Sequence, residues 1–410
     1  MKYKVIRDTK YDFSGQSYSS IYPNLHKYPA TMLPQIGIEI LKDLNISKGK
    51  LLDPYCGSGS SFISGLECGI KDMKGFDINP LAVLISKVKF TKIPINDIIE
   101  TKANLRDKIF DFIKIEKNLE NMLLPKITNI DYWFSKDVIL NLNILRHFIL
   151  QIPDKKLQNF FLIPFSETVR DCSYTRNSEF KLYRIKNEDI LLFNPNVLGI
   201  YFKKLQDTIF IYQYIYFPRL TNEITVNVYN TNFKYDKDEF DIVLTSPPYG
   251  DSKTTVSYGQ FSTLPNEWIG FDYSREIDKM LMGGIKTKKL YQYGLISDYI
   301  EEINKKDKKR AYEISSFYND LEYSISDIAK SVKKGGKAIY IVGNRTVKGI
   351  QLPTDQFIAE KFEENNFKHL ITFKRALSNK SMPLKNSPTN KRGTTTNTML
   401  YEYIVVNEKK

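Results

Sequence analysis

The chain has 410 residues, of which 60 are Lys or Arg and 47 are Asp or Glu, so its formal net charge is +13. At roughly 150 residues per domain this length predicts two to three domains, and the basic balance favours a polyanionic partner, nucleic acid first. A hydrophobic content of 42% excludes a disordered chain, and no apolar run approaches the ~18 residues that a membrane span requires.

Cysteine and histidine are scarce, with three residues of each. Three cysteines cannot form a disulfide framework, and no Cys-x-x-Cys pair indicates zinc. A multi-histidine metal site is not expected either, and the N-terminal segment lacks the apolar stretch of a signal peptide. We therefore expect a cytoplasmic protein of mixed structure that holds no metal.

The N-terminal quarter of the chain has the pattern of a parallel α/β sheet. A helix with apolar residues at helical spacing begins at Pro34, and a short strand then stops at Pro54. A glycine turn, a second helix ending at Gly69, a second strand over 74–78 and a third helix from Pro80 follow. Strand, turn, helix, strand and helix in this order predict parallel strands joined by helical crossovers.

Two insertions interrupt this alternation. Residues 92–222 are predicted to be rich in helix, and residues 251–316 include a run of charges from Asn304 to Arg310. We predict one catalytic α/β domain made of 1–91 and 223–410, with both insertions set into it. In its second half we expect strands over 224–228, 240–245, 338–342, 367–373 and 399–406, and helices over 318–332 and 354–364.

The first group of candidate site residues is Asp53-Pro-Tyr-Cys-Gly-Ser-Gly-Ser60, with Asp77 at the end of the second strand. Glycines at such a turn let the backbone approach a ligand closely, and a helix N-terminus follows. An acidic residue at the next strand end can bind a ribose diol. The absence of Gly-x-Gly-x-x-Gly and of a P-loop weakens the dinucleotide and nucleoside-triphosphate interpretations, while a tight turn with a solvated Asp53 is the structural alternative.

The second group is Thr245-Ser-Pro-Pro-Tyr249, which follows a buried strand. The two prolines remove backbone donors and fix a rigid protrusion, whose carbonyl groups are then free to accept hydrogen bonds. Ser246 and the flat ring of Tyr249 flank these carbonyls, so the segment can hold an exocyclic amino group with its base stacked on the ring. A base reaches such a pocket only by leaving its helix. In isolation, a Pro-Pro turn is an ordinary strand end.

Together the two groups resemble the S-adenosylmethionine-dependent DNA amino-methyltransferases, over patches of 20–91 and 223–406. The resemblance implies a Rossmann-like methyltransferase sheet with helices on both faces. The segments that carry it are similar to motif X (His26 to Pro34), motif I (Asp53 to Ser60), motif II (Phe76 to Pro80), catalytic motif IV in its Ser-Pro-Pro-Tyr form (Thr245 to Tyr249) and the strand after the late Gly-Gly turn (Gly335 to Asn344).

The resemblance also implies S-adenosyl-L-methionine as the cofactor and duplex DNA as the partner. The amine of a flipped base would attack the sulfonium methyl in line, with proximity and orientation supplying most of the acceleration. The catalytic residues would be Ser246, Pro247, Pro248 and Tyr249, where Ser246 and the Pro247 carbonyl accept hydrogen bonds from the amine. The residues expected to bind the cofactor are Tyr28, Pro29, Ala30, Thr31, Asp53, Tyr55, Cys56, Gly57, Ser58, Gly59, Asp77, Ile78 and Thr245.

The target base is predicted from the leading residue of motif IV, since in this family Ser usually accompanies cytosine N4, and Asp or Asn accompanies adenine N6. We therefore predict an N4-cytosine enzyme of a restriction-modification or orphan system, with a cognate restriction endonuclease as a candidate partner. Adenine N6, an RNA base and a non-catalytic nucleic-acid-binding module stay open. A C5-cytosine enzyme needs a thiolate; its usual Pro-Cys dipeptide is absent, which leaves Cys172 as a residual candidate.

Candidate DNA contacts lie in three segments. Region 92–222 has the position of a target-recognition region, although it precedes the third predicted strand, and it interleaves cations with aromatics. From Lys368 through Tyr401 there are seven Lys or Arg and no Asp or Glu, so the loop 376–396 is predicted to grip phosphates. The residues expected to bind DNA are Arg170, Arg176, Arg184, Lys253, Tyr258, Arg375, Lys380, Lys385, Lys391 and Arg392.

Overall fold

The structure is a computed structural model. It describes residues 3–16, 21–114, 123–177, 179–235, 237–251, 255–377 and 399–410, and the backbone alone of 385–386 and 396–397. Within these ranges no helix is both long and apolar enough to cross a membrane.

Strands and helices alternate along most of the described chain. The strands are β1 (Val5–Arg7), β2 (Lys50–Asp53), β3 (Asp72–Phe76), β4 (Thr225–Tyr229), β5 (Phe240–Thr245), β6 (Val332–Gly343), β7 (Thr346–Val347), β8 (Ile350–Gln351), β9 (Phe367–Ala376), β10 (Lys385–Asn386), β11 (Thr396–Asn397) and β12 (Tyr401–Lys409). The helices are α1 (Pro34–Asp43), α2 (Ser60–Glu67), α3 (Pro80–Phe90), α4 (Ile95–Lys114), α5 (Ile130–Trp133), α6 (Lys136–Leu150), α7 (Lys155–Asp171), α8 (Asn187–Leu192), α9 (Val197–Ile211), α10 (Tyr258–Ile269), α11 (Ile277–Met280), α12 (Ile296–Lys306), α13 (Lys308–Ser331) and α14 (Thr354–Glu364).

One large sheet organises the described chain, with its strands in the order β1-β9-β12-β6-β5-β2-β3-β4. β12 runs antiparallel to β6 and β9, whereas the other pairings in this sheet are parallel. β2 and β5 are central neighbours, pairing Leu51 with Ile242, although some 190 residues separate them in the chain. This arrangement brings the carboxyl ends of β2, β3 and β5 to one edge of the sheet, where both candidate groups lie.

The central strands alternate their side chains between two apolar cores, one on each face of the sheet. Leu51, Leu244 and Ile339 belong to the core formed with α1, α2, α3 and the helices before β4. Leu52 and Val243 belong to the core formed with α12, α13 and α14. Strands buried on both faces are typical of parallel sheets, and the predicted mixed α/β fold with helices on both faces is confirmed.

The region 92–222 contains α4 to α9, in agreement with the predicted richness in helix. It enters the chain after α3 and ends before β4, the edge strand that pairs with β3. α7 packs against α3 and α10, and buried residues of α6, α7 and α9 join the same apolar core as α1 and α2. The apolar core is therefore continuous across the predicted boundary of the insertion.

The charge run from Asn304 to Arg310 is divided between two helices, and its four lysines are exposed. It spans the end of α12 and the start of α13, and the Asp307 carboxylate caps α13 by accepting a hydrogen bond from the Arg310 N–H at 3.0 Å. The Arg310 guanidinium turns inward, 2.7 Å from the Glu313 carboxylate and 3.2 Å from that of the buried Asp251. Ion pairing therefore removes this arginine from solvent.

Candidate active site

The ends of β2 and β5 are joined through the buried carboxylate of Asp53. The Thr245 hydroxyl donates to its Oδ1 over 2.5 Å, the Ser61 hydroxyl donates to its Oδ2 over 2.5 Å, and the Tyr55 N–H donates to Oδ1 over 3.0 Å. Burial raises the pKa of Asp53 to about 6, against the three hydrogen bonds, which favour the charged form. One carboxylate thus connects the glycine turn to the start of the Ser-Pro-Pro-Tyr segment.

The glycine turn between β2 and α2 depends on two left-handed residues, Gly57 with φ +49° and Gly59 with φ +84°. A Cβ atom on Gly59 would lie 2.6 Å from the Phe90 ring and 2.7 Å from the Ser86 hydroxyl oxygen, so this glycine permits the turn to pack on α3. A Cβ atom on Gly57 would meet no atom within 4 Å. Gly57 therefore borders open space, as a backbone position that approaches a ligand must.

Asp77 follows β3 at the same edge and closes the turn from the other side. Its Oδ2 accepts a hydrogen bond from the Gly57 N–H at 3.0 Å, and its Oδ1 accepts one from the Asn79 N–H at 2.8 Å. Asp77 and Ile78 are partly exposed, and burial raises the pKa of Asp77 to about 6. A partly accessible carboxylate beside an open glycine turn fits the ribose of a nucleoside cofactor.

The segment predicted to resemble motif X lies beside this turn. The Asn79 amide donates to the Tyr28 hydroxyl at 3.0 Å, and the Tyr28 ring stacks on that of Tyr258 with centroids 6.1 Å apart. Tyr28 and Pro29 are buried, whereas Ala30 is exposed. Tyr258, expected to contact DNA, therefore packs against the cofactor-side segment, and burial and the charge of Asp77 raise the pKa of its phenol.

A buried lysine also supports the glycine turn, and no pattern in the sequence indicated it. The Lys89 ammonium donates to the Ser58 carbonyl at 2.7 Å and to the Asn24 side-chain oxygen at 2.9 Å. Burial lowers the pKa of Lys89 to about 7. Lys89 therefore ties the turn to the chain just before the motif X segment, where Asn24 in turn donates to the Thr31 hydroxyl at 3.5 Å.

The Ser-Pro-Pro-Tyr segment leaves β5 at the same sheet edge. The Ser246 and Tyr249 hydroxyl oxygens are 3.3 Å apart, and the Tyr249 hydroxyl donates to Oε1 of Glu402 at 3.1 Å. Pro247 is buried and Pro248 is partly exposed. Burial, together with the charge of Glu402, raises the pKa of Tyr249 well above its ordinary value. The Tyr249 phenol is therefore neutral and a hydrogen-bond donor throughout the physiological range.

Arg375 lies behind this segment, and its position corrects the expectation that it grips phosphate. Its guanidinium forms an ion pair with the Glu402 carboxylate and donates to the carbonyl groups of Tyr11 at 2.6 Å and Asp12 at 3.4 Å. Arg375 is only 5% exposed. A guanidinium held by these acceptors inside the protein is not presented to DNA, and sequence reasoning missed Glu402 altogether.

Arg170 is corrected for the same reason. It is buried, and its guanidinium donates to the carbonyl groups of Phe261 at 3.0 Å and Glu179 at 2.5 Å while lying over the Phe261 ring. It therefore fastens α7 to α10. Arg176 is exposed and Arg184 partly so, and both stay predictions as DNA contacts. Lys253, Lys380, Lys391 and Arg392 lie outside the described residues, as does the side chain of Lys385.

None of the three cysteines has the surroundings of an activated thiolate. Cys56 and Cys172 are buried, and burial raises the pKa of both thiols, that of Cys172 to about 12. Burial also raises the pKa of Cys68. Because the thiolate is the nucleophile, these positions disfavour covalent chemistry at cysteine.

Comparison with known proteins finds a relative that aligns with most of this chain. The chain is 38% identical over 412 aligned residues to the Type II methyltransferase M.MvaI of Kocuria varians, covering 93% of this chain and 89% of the relative. A shorter match, 30% identical over 91 residues, joins 22% of the chain to 17% of the Type II methyltransferase M.MjaII of Methanocaldococcus jannaschii. No protein-family model matches.

A solved structure from Thermus thermophilus, described as a DNA modification methylase complexed with S-adenosyl-L-methionine, matches 24% of this chain and 38% of its own. Its identity is 20% and its TM-score 0.17, so the assignment depends on the relative from Kocuria varians. That relative confirms the predicted methyltransferase class and supports S-adenosyl-L-methionine as the cofactor. The identity and the mutual coverage of the two chains show that this chain belongs to the family of Type II methyltransferases.

Proposed function

We propose that the chain methylates the exocyclic N4 amine of a cytosine flipped out of duplex DNA, as the modification enzyme of a restriction-modification system. The observation that carries this proposal is the junction of Asp53 and Thr245, whose 2.5 Å hydrogen bond joins the glycine turn to the Ser-Pro-Pro-Tyr segment. A cofactor held at the turn and an amine held at Ser246 would then meet at one sheet edge. The family membership of the chain supports the reaction class.

The residues around the glycine turn suit S-adenosyl-L-methionine, which supplies the electrophilic methyl group. The open space beside Gly57 gives room for the nucleoside, and the Asp77 carboxylate has lone pairs for the ribose hydroxyls. Ile78 is partly exposed next to Asp77 and can pack on the adenine. The Tyr28 hydroxyl accepts a hydrogen bond from the Asn79 amide beside this turn, so the segment from Tyr28 to Thr31 would border the cofactor.

The Ser-Pro-Pro-Tyr segment is proposed to hold the target amine. The Ser246 hydroxyl oxygen and the Pro247 carbonyl oxygen accept hydrogen bonds from the two N–H groups of the target amine. These bonds favour a tetrahedral nitrogen with a lone pair available for attack. The Tyr249 ring provides a stacking surface for the base. Orientation then supplies most of the rate acceleration, and a strong base is not required.

Cytosine N4 is proposed over adenine N6 because Ser246 leads the catalytic segment, as in the N4-cytosine type of the family it resembles. The surroundings of the cysteines oppose a C5-cytosine mechanism, since burial raises the pKa of all three thiols. DNA contacts are proposed for Arg176 and Arg184 in the region 92–222, which would read the target, and for the loop 376–396, which would grip phosphates.

The proposal is tested by incubating the purified chain and S-adenosyl-L-methionine with unmethylated duplex DNA, then digesting the DNA to nucleosides for mass spectrometry. We expect N4-methylcytosine. N6-methyladenine or C5-methylcytosine would overturn the choice of base, and no incorporation with the cofactor bound would overturn the enzyme assignment. Tyr249→Ala should reduce methylation much more than cofactor affinity; an equal loss of both would show that Tyr249 does not hold the base.

A further inference from the structure

The side chains of Arg375, Glu402, Tyr249 and Ser246 form a continuous hydrogen-bonded series that ends at the proposed amine site. Arg375 is paired with Glu402, Glu402 accepts from the Tyr249 hydroxyl at 3.1 Å, and the Tyr249 and Ser246 oxygens are 3.3 Å apart. Arg375 and Glu402 are both buried. These residues come from β9, β12 and the segment after β5, so the series exists only in the folded chain.

The polarity of this series follows from the chemistry of its members. A guanidinium only donates and stays charged, and an ionised carboxylate only accepts. Because the Glu402 carboxylate is paired with the Arg375 guanidinium, the Tyr249 hydroxyl uses its single proton to donate to Glu402. Its oxygen can then only accept from Ser246. The single proton of the Ser246 hydroxyl points toward Tyr249, and the lone pairs of its oxygen stay available on the other side.

We propose that Glu402 and Arg375 are positioning residues that fix the Ser246 hydroxyl as an acceptor for the target amine. An amino group presents two N–H donors. A serine hydroxyl whose proton faced the amine would therefore place donor against donor, and the amine would not be held in the orientation needed for attack. The buried ion pair of Arg375 and Glu402 prevents this orientation of the Ser246 proton, because it fixes the direction of the Tyr249 hydroxyl. This inference rests on the proposed function, because it takes Ser246 as the group that meets the amine.

A carboxamide at position 402 would reverse the series. In Glu402→Gln the amide oxygen turns to Arg375, which can only donate, and the amide N–H₂ group turns to Tyr249. Tyr249 then accepts from the amide and donates to Ser246, so the serine proton faces the amine. We expect kcat to fall by about 10-fold to 100-fold, the usual range for a hydrogen bond to a charged group. The affinity for S-adenosyl-L-methionine should stay close to that of the wild type.

Tyr249→Phe keeps the ring and removes the hydroxyl that links Glu402 to Ser246. Because it breaks the series without reversing it, it should lower kcat less than Glu402→Gln does. In the Tyr249→Phe background, Glu402→Gln should cost no further activity, because the series is already broken. The matched control is Glu408→Gln, which removes a carboxylate on the same strand β12 that pairs with Lys337 at 2.8 Å instead. It should leave kcat unchanged.

The decisive experiment is this double-mutant cycle, measured as single-turnover methylation of duplex DNA. If the two substitutions act independently, their fold-losses in kcat multiply in the doubly substituted enzyme. That result would overturn the proposed role of the series. If Glu402→Gln does not fold because Arg375 has lost its charged partner, the cycle of Tyr249→Phe with Ser246→Ala replaces it. Without the serine hydroxyl, Tyr249→Phe should cause no further loss of activity, and a further loss would overturn the proposed role of the series. A wild-type enzyme that transfers no methyl group would instead overturn the proposed function itself.

Discussion

The Thr245 hydroxyl donates a 2.5 Å hydrogen bond to the Asp53 carboxylate, and it thereby ties together two strands that are neighbours in the sheet but about 190 residues apart in the chain. Asp53 is the last residue of β2, and Thr245 is the last residue of β5. Since both are buried, their separation sets how far the glycine turn stands from the Ser-Pro-Pro-Tyr segment. Methyl transfer is sensitive to such a distance, because a misplacement of about 1 Å can cost on the order of 100-fold in rate.

Replacing Thr245 by valine keeps the branched shape and removes this donor. The buried carboxylate of Asp53 then keeps two of its three hydrogen bonds, so we expect the free energy of unfolding at pH 8 to fall by about 1–3 kcal/mol. The folded-state pKa of Asp53, about 6, lies above its ordinary value of 3.8. The loss should therefore shrink as the pH falls through 6, because the carboxyl group becomes protonated in the folded protein.

Denaturant unfolding at pH 5 and pH 8 measures this difference. Thr208→Val is a matched control, because Thr208 is buried in α9 and its hydroxyl donates to the Lys204 carbonyl at 2.8 Å, with no carboxylate involved. Its cost should not depend on pH. An equal loss at both pH values for Thr245→Val would show that the hydroxyl does not support the charged carboxylate.

A substitution at Gly57 distinguishes the cost of backbone strain from the loss of a contact with the cofactor. With φ +49° and no atom within 4 Å of an added methyl group, Gly57→Ala meets only the left-handed penalty of about 1–2 kcal/mol. Gly335→Ala is its matched control, because Gly335 has φ +74° and is equally uncrowded, at the amino end of β6 away from the site. Both variants should lose similar stability in thermal unfolding, whereas only Gly57→Ala should lose affinity for S-adenosyl-L-methionine in calorimetry. Equal affinities would place the cofactor elsewhere.

Local sequence chemistry was sufficient to predict where the candidate segments that belong to single turns lie in the fold. The glycine turn, Asp77 and the Ser-Pro-Pro-Tyr segment are short, and each follows a strand whose apolar residues identify it. All three lie at the same sheet edge, since carboxyl ends of parallel strands meet there. β5, predicted over 240–245, has those bounds in the structure.

The missed features depend on contacts between distant parts of the chain. Arg375 lies in a stretch without acidic residues, so composition alone favours a solvent-exposed cation. Its partner Glu402 comes from the next strand of the sheet, and its other acceptors are the carbonyls of Tyr11 and Asp12, more than 360 residues away. Lys89 is similar, because an ammonium buried against the Ser58 carbonyl has no local sequence signal.

The pKa of Asp77 predicts the pH dependence of cofactor binding. Burial raises this pKa to about 6, and ribose hydroxyls that donate to the carboxylate would stabilise its charged form. Affinity for S-adenosyl-L-methionine should therefore be greatest above pH 6 and should weaken as the pH falls through 6 toward 5. Asp77→Asn should reduce the affinity at pH 8 by about 10-fold or more and should diminish the pH dependence.

Titration calorimetry from pH 5 to pH 8 checks this prediction. Asp72→Asn provides the control, because Asp72 is an exposed residue at the opposite end of β3. It should retain both the affinity and the pH dependence of the wild type. A wild-type affinity that is constant over this range would mean that the ligand makes no hydrogen bond to the Asp77 carboxylate.

The salt dependence of DNA binding distinguishes the exposed Arg176 from the buried Arg375. Each phosphate contact contributes about 0.9 to the slope of log K against log salt concentration. Arg176→Ala removes an exposed cation, which we propose as a DNA contact, and should lower that slope by about 1. Arg375→Met should leave the slope unchanged and lower the free energy of unfolding by about 3–5 kcal/mol, because the buried Glu402 loses the cation with which it is paired. A reduced slope in a folded Arg375→Met variant would return Arg375 to the DNA interface.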